Sequence, residues 1–542
     1  MSSSRTSSLP PAVGDVSRTG RRSARRRSGP YSAYATGLMP QPPDGREKYL
    51  YARSHLWMLT CSSLIAFTCL CFSQYRMVLS APAFWVFVPF LALMLLDFVI
   101  SVRVNGLRTG FNLRTHKKLV RNWRPLRHPS VDVFLPVCGE PLEVLYNTWE
   151  HVCQMQEAYP GLVTAYVLDD GASGEVAAMA ADFGFVYGSR ENRGWFKKAG
   201  NLHFGFGISG GDHILILDAD FAPRADLLDE LVPYMDQDPT VGIVQSPQFF
   251  RVLDSQNWIE RGAGAVQELF YRAIQVSRQR KGGAVCVGTC ALYRRAALEQ
   301  NGGVTLIGHS EDVYTGFDLA NLGWSLRYIP IALSTGVCPD TIGAFQNQQY
   351  RWCNGSLTMM VSKAFWTSKM SLTTRLCWIS GFLYYIQTAL LTFVTPLVPL
   401  MLMVLEPSML NVRYIWWVVP SLLYSYLILP LWHKAPYRLE AWAARMMYGW
   451  AHVFVIWDLI RGREMGWQPT GSSGAKKDKT RRFWWCMAVW GGGTAAAWLG
   501  VALYRMATMY APDCILVLTS GLFYAATVVR ILVQPRPHEA SL

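Results

Sequence analysis

The sequence predicts an α/β domain with a mostly parallel sheet, inserted between about six α-helical membrane spans with amphipathic interface helices. Three observations support this fold class. Nearly uncharged stretches of about twenty residues, the length of a membrane span, lie towards both ends of the chain. Between them, short β-branched runs alternate with segments of helical length. Lys and Arg are concentrated on one side of the spans, which indicates their orientation.

Six stretches are apolar and long enough to cross about 30 Å of hydrocarbon. They are residues 55–75, 79–102, 376–405, 414–431, 483–503 and 511–533. The chain therefore divides into N-terminal spans at 55–102, a middle domain at 103–372 and a C-terminal membrane region at 373–542. Residues 1–48 are rich in Ser, Arg, Pro and Gly, and this composition predicts a disordered basic tail.

Basic runs at residues 18–28, 103–124 and 460–483 fall on one face of the predicted membrane layout. Because loops rich in Lys and Arg stay in the cytosol, both termini and the middle domain are predicted to be cytosolic. The chain would be a multi-pass protein of the plasma or inner membrane. Its net charge of +14 then requires no nucleic-acid partner, since basic residues are expected against anionic lipid.

Residues 434–462 mix aromatic residues and Met with spaced charges. The spacing of Trp442, Trp450 and Trp457 places them on one face, which predicts a helix lying in the membrane interface. A loop rich in Gly and Ser follows at 463–480, and a flexible linker is one interpretation of it.

Carboxylates stand at the ends of two predicted strands: Asp169 and Asp170 after one, Asp218 and Asp220 after the next. Ligands of parallel sheets collect at this edge. The second pair offers hard oxygen ligands for Mg²⁺ or Mn²⁺. Because these ions often take further ligands from substrate phosphates, the pair favours a nucleoside diphosphate substrate. The first pair could accept from a uracil N–H or a ribose hydroxyl. A solvated acidic turn is the alternative for an isolated pair of this kind.

Three further clusters follow along the chain. Lys198 lies among small residues and offers an ammonium group to phosphate. Glu311 and Asp312 begin a predicted helix, where helix capping is the alternative role. One later helical turn carries Gln348, Arg351 and Trp352. Its Arg can fork onto phosphate oxygens and its Trp can stack on a sugar, although such residues also anchor helices at a membrane surface.

The motifs DDG, DAD, SED and QQYRW occur in that order. They resemble the D, DxD, TED and Q(Q/R)xRW signature of processive family 2 glycosyltransferases, and most of all bacterial cellulose synthase and its cellulose-synthase-like relatives. The resemblance covers about residues 130–360 by motif and most of the rest by membrane layout. The segments KAGN, SPQFF and VCVGTCALYRR are further matches. The resemblance implies a GT-A-like cytosolic domain.

The resemblance also implies roles for individual residues. The UDP-sugar site would comprise Glu140, Asp169, Asp170, Lys198, Asp218, Gln348 and Arg351. The divalent metal, Mg²⁺ or Mn²⁺, would be held by Asp218 and Asp220. The acceptor would lie against Gly288, Thr289 and Trp352. Asp312 would be the general base, with Glu311 as its catalytic neighbour.

The segment GWQPTG is similar in placement to the gating loop of cellulose synthases, and Trp467 and Thr470 match the spacing of that loop. Two departures from the family pattern stand out. Ser310 replaces the usual Thr of the third motif. No cyclic-di-GMP-binding module is recognisable after the last span, so that form of control is not expected.

The implied function is that of a membrane-embedded, processive, inverting glycosyltransferase. It would polymerise UDP-glucose into a β-glucan, cellulose or mixed-linkage-like, and translocate the nascent polysaccharide through its own channel. The sequence is compatible both with partner subunits in the envelope and with a homo-oligomer. The alternatives are a hyaluronan or chitin synthase-type polymerase using another UDP-sugar, a transferase adding one sugar to a lipid carrier, and a transporter with an inactive transferase-like domain.

Overall fold

A computed structural model describes residues 39–104, 106, 109–462 and 477–533, with the side chains of 412, 413 and 477–480 excepted. Trp467 and Thr470 of the predicted gating loop lie outside the described residues, as does most of the predicted N-terminal tail.

The α/β domain contains ten strands. They are β1 (Val131–Val137), β2 (Val163–Asp169), β3 (Val186–Gly188), β4 (His213–Ile216), β5 (Ala222–Pro223), β6 (Val241–Gln245), β7 (Phe249–Phe250), β8 (Ala291–Arg294), β9 (Ser325–Tyr328) and β10 (Ser334–Gly336). The apolar runs that predicted strands correspond to β1, β2, β4 and β6. Buried parallel strands read as continuous apolar runs because both of their faces are covered.

The main sheet has seven strands in the order β3-β2-β1-β4-β8-β6-β9. Strand β8 runs antiparallel to both of its neighbours, and the other pairings are parallel. The prediction of a mostly parallel sheet is therefore confirmed. A smaller sheet has the order β5-β10-β7.

The α-helices before the membrane region are α1 (Leu56–Ser80), α2 (Val88–Val104), α3 (Leu113–Asn122), α4 (Leu142–Ala158), α5 (Gly174–Phe183), α6 (Lys197–Ile208), α7 (Leu227–Gln237), α8 (Trp258–Leu269), α9 (Gln275–Gln279), α10 (Arg295–Asn301), α11 (Glu311–Asn321), α12 (Ile342–Val361) and α13 (Lys363–Thr367). Those that follow are α14 (Leu372–Leu405), α15 (Val412–Ile415), α16 (Val419–Leu423), α17 (Leu429–Trp432), α18 (Leu439–Ile460), α19 (Lys477–Met487), α20 (Gly493–Thr508) and α21 (Ala511–Leu532).

Helices cover both faces of the main sheet. Val133 and Leu135 of β1 pack with Trp149 of α4 on one face. Phe134, between them in sequence, packs with Leu202 of α6 on the other face. This alternation follows from the two-residue period of a strand. With both faces covered, the loops at the carboxyl ends of the strands carry the side chains that face a ligand.

Five helices among the described residues are long and apolar enough to cross a membrane. They are Leu56–Ser80, Pro82–Val104, Leu372–Leu405, Arg481–Thr508 and Ala511–Leu532. Each overlaps one of the six predicted spans. The lengths of these helices therefore support the prediction that they cross a lipid bilayer.

The prediction of a sixth span at 414–431 is wrong, because these residues do not form one continuous helix. The short helices α15, α16 and α17 and a π-helical turn at Tyr424–Ile428 replace it. A turn at residues 416–418 separates α15 from α16, and Pro420 in the first turn of α16 lacks the N–H that would continue helical hydrogen bonding from α15. The apolar helical stretch Val419–Trp432 is about 21 Å long at 1.5 Å per residue, short of the roughly 30 Å of a bilayer core.

The predicted interface helix at 434–462 is α18, and its environment differs from the prediction. It packs against α8, α12, α14 and α21, so it connects the α/β domain to the spans. Trp450 is buried whereas Trp457 is 45% exposed, so the Trp residues do not share one exposed face. Small residues explain the close packing: a Cβ on Gly262 of α8 would lie 2.4 Å from the backbone oxygen of Glu440.

The prediction that residues 1–48 are disordered is wrong for residues 39–48, which pack against the α/β domain. The ammonium group of Lys48 is buried and donates to both Asp226 and Glu230 of the α7 region. The backbone oxygen of Lys48 accepts from Ala332 N at 2.9 Å. Arg251 pairs with Glu47 at 2.6 Å. Composition could not reveal these contacts because their partners are distant in sequence.

Candidate active site

Lys198 and Asp218 form an ion pair at the carboxyl end of β4. The ammonium group of Lys198 donates to Asp218 Oδ1 and lies 3.6 Å from Glu311 Oε1. Burial by itself would lower the pKa of Lys198, but Asp218 and Glu311 outweigh this effect and raise that pKa above its usual value. The ammonium group of Lys198 therefore stays protonated and lies among carboxylates that are predicted to bind the donor and to perform catalysis.

Asp220 lies in a crowded group of carboxyls. Burial raises the pKa of Asp220 to about 7, and the nearby charges of Asp218 and Glu140 add to the rise. Burial also raises the pKa of Glu140, whose Oε2 accepts from Cys138 N at 2.6 Å. Carboxylates brought together in this way repel one another, and a divalent cation would relieve that repulsion.

The donor set therefore fits Mg²⁺ or Mn²⁺, with Asp218 and Asp220 as the residues that would hold it. Within the part of the chain that the structure describes, no group of three or more His, Cys, Asp or Glu could form a complete metal cage. Substrate oxygens would have to complete the coordination, as they do at many magnesium sites in nucleotide-binding enzymes.

Asp312 lies in the first turn of α11 and approaches the backbone of Gly288 closely. A Cβ on Gly288 would lie 2.7 Å from Asp312 Oδ2, and the φ angle of Gly288 is +76°. Both facts require glycine at this position. Burial and then the charge of Glu311 raise the pKa of Asp312 to about 7, against the lowering effect of Lys198. A carboxyl that titrates near neutral pH is suited to general base catalysis.

Thr289 is fully buried and its Oγ1 accepts from Asp218 N at 2.9 Å. The segment predicted to face the acceptor therefore also fixes the backbone of the DAD motif. The predicted contacts of Gly288 and Thr289 with the acceptor stay predictions. The structure shows in addition that Thr289 positions the backbone of Asp218.

The carboxylates of Asp169 and Asp170 are already engaged within the chain. Asp169 accepts from Gly171 N at 2.7 Å, Ser173 N at 2.8 Å and the hydroxyl of Tyr187 at 3.0 Å. Asp170 accepts both Nε and Nη2 of Arg190 at 2.6 Å. These contacts shape the loop after β2, and the predicted contact of the pair with uridine stays a prediction.

Arg190 is a site residue that no sequence motif marks. Besides Asp170, its guanidinium donates to the backbone oxygens of Trp195 at 2.7 Å and Lys197 at 3.0 Å. Phe196 and Lys197 have φ angles of 47° and 52°, a left-handed conformation that is costly for residues with a side chain. Arg190 therefore holds the strained turn that presents Lys198. Sequence reasoning missed it because its partners are mostly backbone oxygens.

We expect Arg190→Lys to lower the free energy of unfolding by about 3 kcal/mol, because it breaks a buried bidentate pair and leaves carbonyl groups without a donor. Thermal unfolding of the purified protein measures the change. The matched control is Arg127→Lys, since Arg127 pairs with Asp212 at 2.8 Å with its own side chain 77% exposed. Such surface pairs contribute about 1 kcal/mol or less. Equal effects of the two substitutions would contradict the role of Arg190.

Helix α12 carries Gln348, Arg351 and Trp352. It packs on the turn before α11, where a Cβ on Gly355 would lie 2.0 Å from Ser310 Oγ. Burial lowers the pKa of Arg351, and the charges of Glu311 and Asp218 act in the opposite direction. Gln348 Oε1 is buried without a partner among the described residues. The helix thus brings a guanidinium to the carboxylates around Lys198, while the predicted stacking of Trp352 on sugar stays a prediction.

Comparison with known families agrees with this geometry. Residues 213–431 match the family described as glycosyl transferase family group 2. This part of the chain, the family 2 domain, is similar to that family in sequence. It includes the DAD, SED and QQYRW motifs and the Gly288 turn, and the α/β fold is GT-A-like.

Curated relatives of the chain include cellulose synthases. Cellulose synthase 1 of Komagataeibacter xylinus is 32% identical over 261 residues, which are 47% of this chain and 17% of that protein. The UDP-forming cellulose synthase catalytic subunit of Xanthomonas axonopodis pv. citri is 28% identical over 265 residues, 47% of this chain and 36% of that one. The chain thus spans well under half of either relative.

Solved structures similar to part of the chain include a mannosyltransferase from Pyrobaculum calidifontis in complex with GDP-mannose and Mn²⁺. It is 16% identical, with a TM-score of 0.45, and the match covers 68% of this chain and 97% of that one. Glucosyl-3-phosphoglycerate synthase from Mycobacterium tuberculosis is 17% identical, with a TM-score of 0.28, over 42% of this chain and 77% of that one.

Proposed function

We propose that the chain is a membrane-embedded, processive, inverting glycosyltransferase that polymerises UDP-glucose into a β-glucan, cellulose or mixed-linkage-like, and translocates it through a channel between its own spans. The observation that carries the proposal is the approach of Asp312 to Gly288 beside the Lys198–Asp218 pair. The carboxyl that we propose as the general base and the cation that we propose to bind phosphate therefore lie close together, which supports the proposal. Similarity to cellulose synthases supports glucose as the transferred sugar.

In the proposed reaction Asp312 accepts the proton of the acceptor hydroxyl, and the hydroxyl oxygen forms a bond to the anomeric carbon of the donor. The bond from that carbon to the diphosphate breaks, and its electron pair stays on the phosphate oxygen. Lys198 and Arg351 stabilise this developing charge. Because the displacement is direct and from the opposite face, an α-linked donor gives a β-linked product. A divalent ion at Asp218 and Asp220 would supply further charge neutralisation at the diphosphate.

The membrane arrangement belongs to the same proposal. Multiple crossings of the plasma or inner membrane, with the family 2 domain in the cytosol, would give the domain access to UDP-glucose and place the spans where a polymer must leave. The basic runs that flank the spans support this orientation.

The proposal predicts that the rate of polymer synthesis rises with pH, is half-maximal near pH 7 and reaches a plateau about one pH unit higher. Asp312 must be ionised to accept a proton, and its pKa is raised to about 7, so it is protonated and inactive at lower pH. Initial rates from about pH 5.5 to about pH 8.5, at saturating donor and metal, measure this dependence. A rate that stays constant or falls over that range would argue against Asp312 as the base.

Removal of divalent metal is expected to abolish synthesis, and Mg²⁺ or Mn²⁺ is expected to restore it. Asp220→Asn should raise the metal concentration for half-maximal rate by roughly 10- to 100-fold, because one of two protein ligands loses its charge. The measurement is a metal titration of the purified, chelator-treated enzyme. Full activity in excess chelator would contradict the assignment of Asp218 and Asp220.

The experiment that tests the function is incorporation of radiolabelled sugar into ethanol-insoluble product by the purified chain. UDP-glucose, UDP-N-acetylglucosamine and UDP-glucuronate are compared, and selective glucanases identify the linkage. Product from UDP-glucose alone supports the proposal. Product from another donor favours a hyaluronan or chitin synthase-type polymerase, and label found only in lipid extracts favours single-sugar transfer to a carrier.

A further inference from the structure

A basic cavity lies where two candidate spans meet the α/β domain. It has a volume of about 430 Å³ and is lined by Arg103, Gly106, Arg280, Lys281 and Thr373. Arg103 is the penultimate residue of α2, and Thr373 is the second residue of α14. The cavity therefore lies at the level where both spans end, which is the membrane surface.

The lining contains three cationic side chains and, among the described residues, no carboxylate. Like charges gathered in one cavity repel one another, and an anion between them removes that cost. None of the ion pairs found among the described residues involves Arg103 or Lys281. Their charges are thus directed to the cavity and the surrounding solvent or lipid.

The cavity is held in shape by contacts between α9 and α14. The backbone N–H of Lys281 donates to Arg278 O at 2.9 Å, which closes the turn after α9. The backbone oxygen of Lys281 accepts from Thr374 Oγ1 at 3.0 Å. The half-buried Lys281 is therefore fixed through its backbone to the turn after α9 and to the first turn of α14.

We propose that this cavity binds a phosphate group of an anionic molecule, supplied either by the headgroup of an anionic phospholipid or by the solution. Guanidinium groups fork onto phosphate oxygens and an ammonium group adds a compact charge. Basic pockets between spans at a membrane surface have the chemistry that recognises anionic headgroups. The site is separate from the carboxylates around Lys198 and does not depend on which sugar the family 2 domain transfers.

The test is the thermal unfolding of the full chain in dodecylmaltoside at constant ionic strength. Dihexanoyl phosphatidylglycerol, dihexanoyl phosphatidylcholine and inorganic phosphate are titrated separately, because a ligand that binds the folded state raises the unfolding midpoint. We expect a rise with phosphatidylglycerol and none with phosphatidylcholine. The double variant R103Q/K281Q should weaken the apparent affinity roughly 30-fold, at about fivefold for each charge removed.

Lys369→Gln is the matched control, since Lys369 lies between α13 and α14 and does not line the cavity. It removes one positive charge near the same membrane surface, as each of the two substitutions in the double variant does, and should leave the affinity unchanged. A shift with inorganic phosphate equal to that with phosphatidylglycerol assigns the phosphate to solution, and a larger shift with the lipid assigns it to the bilayer. No shift with either probe, or the same loss in K369Q, overturns the proposal.

The single variants R103Q and K281Q replace the double variant if the latter does not fold. Each removes one of the three cationic groups and should weaken the apparent affinity about fivefold. An affinity that is unchanged in both single variants overturns the proposal as well.

Discussion

Asp312→Asn is expected to lower the rate of polymer synthesis by roughly 10²- to 10⁴-fold, the usual contribution of a general base. The amide has nearly the shape of the carboxyl but cannot accept the proton of the acceptor hydroxyl. Donor binding should be nearly unchanged, because Lys198, Asp218 and Arg351 remain. Initial rates of radiolabel incorporation, together with binding of UDP to the purified variant, measure the two effects separately.

Asp318→Asn is the control for this substitution. Asp318 lies on the same helix, α11, and accepts from the hydroxyl of Thr305 at 2.7 Å, away from Lys198 and Gly288. It makes the same chemical change and should leave the rate within a few-fold of the wild type. If both variants lose activity equally, the loss reflects the stability of α11 and Asp312 is not the base.

Gly288→Ala is expected to lower the catalytic rate by about 100-fold, because the new methyl group would occupy the space of Asp312 Oδ2 and displace the carboxyl by about 1 Å. It should also destabilise the protein by about 1 to 2 kcal/mol, since alanine is unfavourable at a left-handed backbone angle. Initial rates and thermal unfolding of the same preparation separate these effects.

Gly302→Ala provides a closely matched control for the backbone effect. Gly302 has the same φ of +76°, but nothing lies within 4 Å of a Cβ added there. Both substitutions should therefore cost similar stability, whereas only G288A should lose activity. Comparable rates in the two variants would show that Asp312 is not held by its contact with Gly288.

Four of the ten strands among the described residues, β1, β2, β4 and β6, were predictable because burial on both faces leaves a run of mostly apolar residues in the sequence. Residues 131–137 form β1, and Gly174–Phe183 form one of the helices that alternate with the strands. The acidic pairs Asp169–Asp170 and Asp218–Asp220 were predictable as candidates because they stand at the ends of predicted strands. What they contact was not, since Asp170 meets Arg190 through a fold that brings separated segments together.

The membrane region shows where sequence patterns mislead. Hydropathy detects apolar stretches such as residues 414–431, but it does not detect the turn at residues 416–418, which ends α15 just before Pro420 in the first turn of α16. Likewise, the aromatic pattern of α18 predicts a surface helix, whereas its small residues allow α8 and α14 to pack against it. The burial of α18 between other helices depends on the whole fold, so it cannot be predicted from the sequence of α18 alone.

The packing of residues 39–51 has a mechanical consequence for the first span. Lys48 is fixed to Asp226 and Glu230, and Tyr51 is buried with its ring against Phe249 at 5.7 Å. The chain enters α1 at Leu56, a few residues later. A twist of this span about its own axis would therefore be transmitted as torque to the α/β domain, since the intervening backbone oxygens of Arg53 and Ser54 also accept from Arg272 and Trp432.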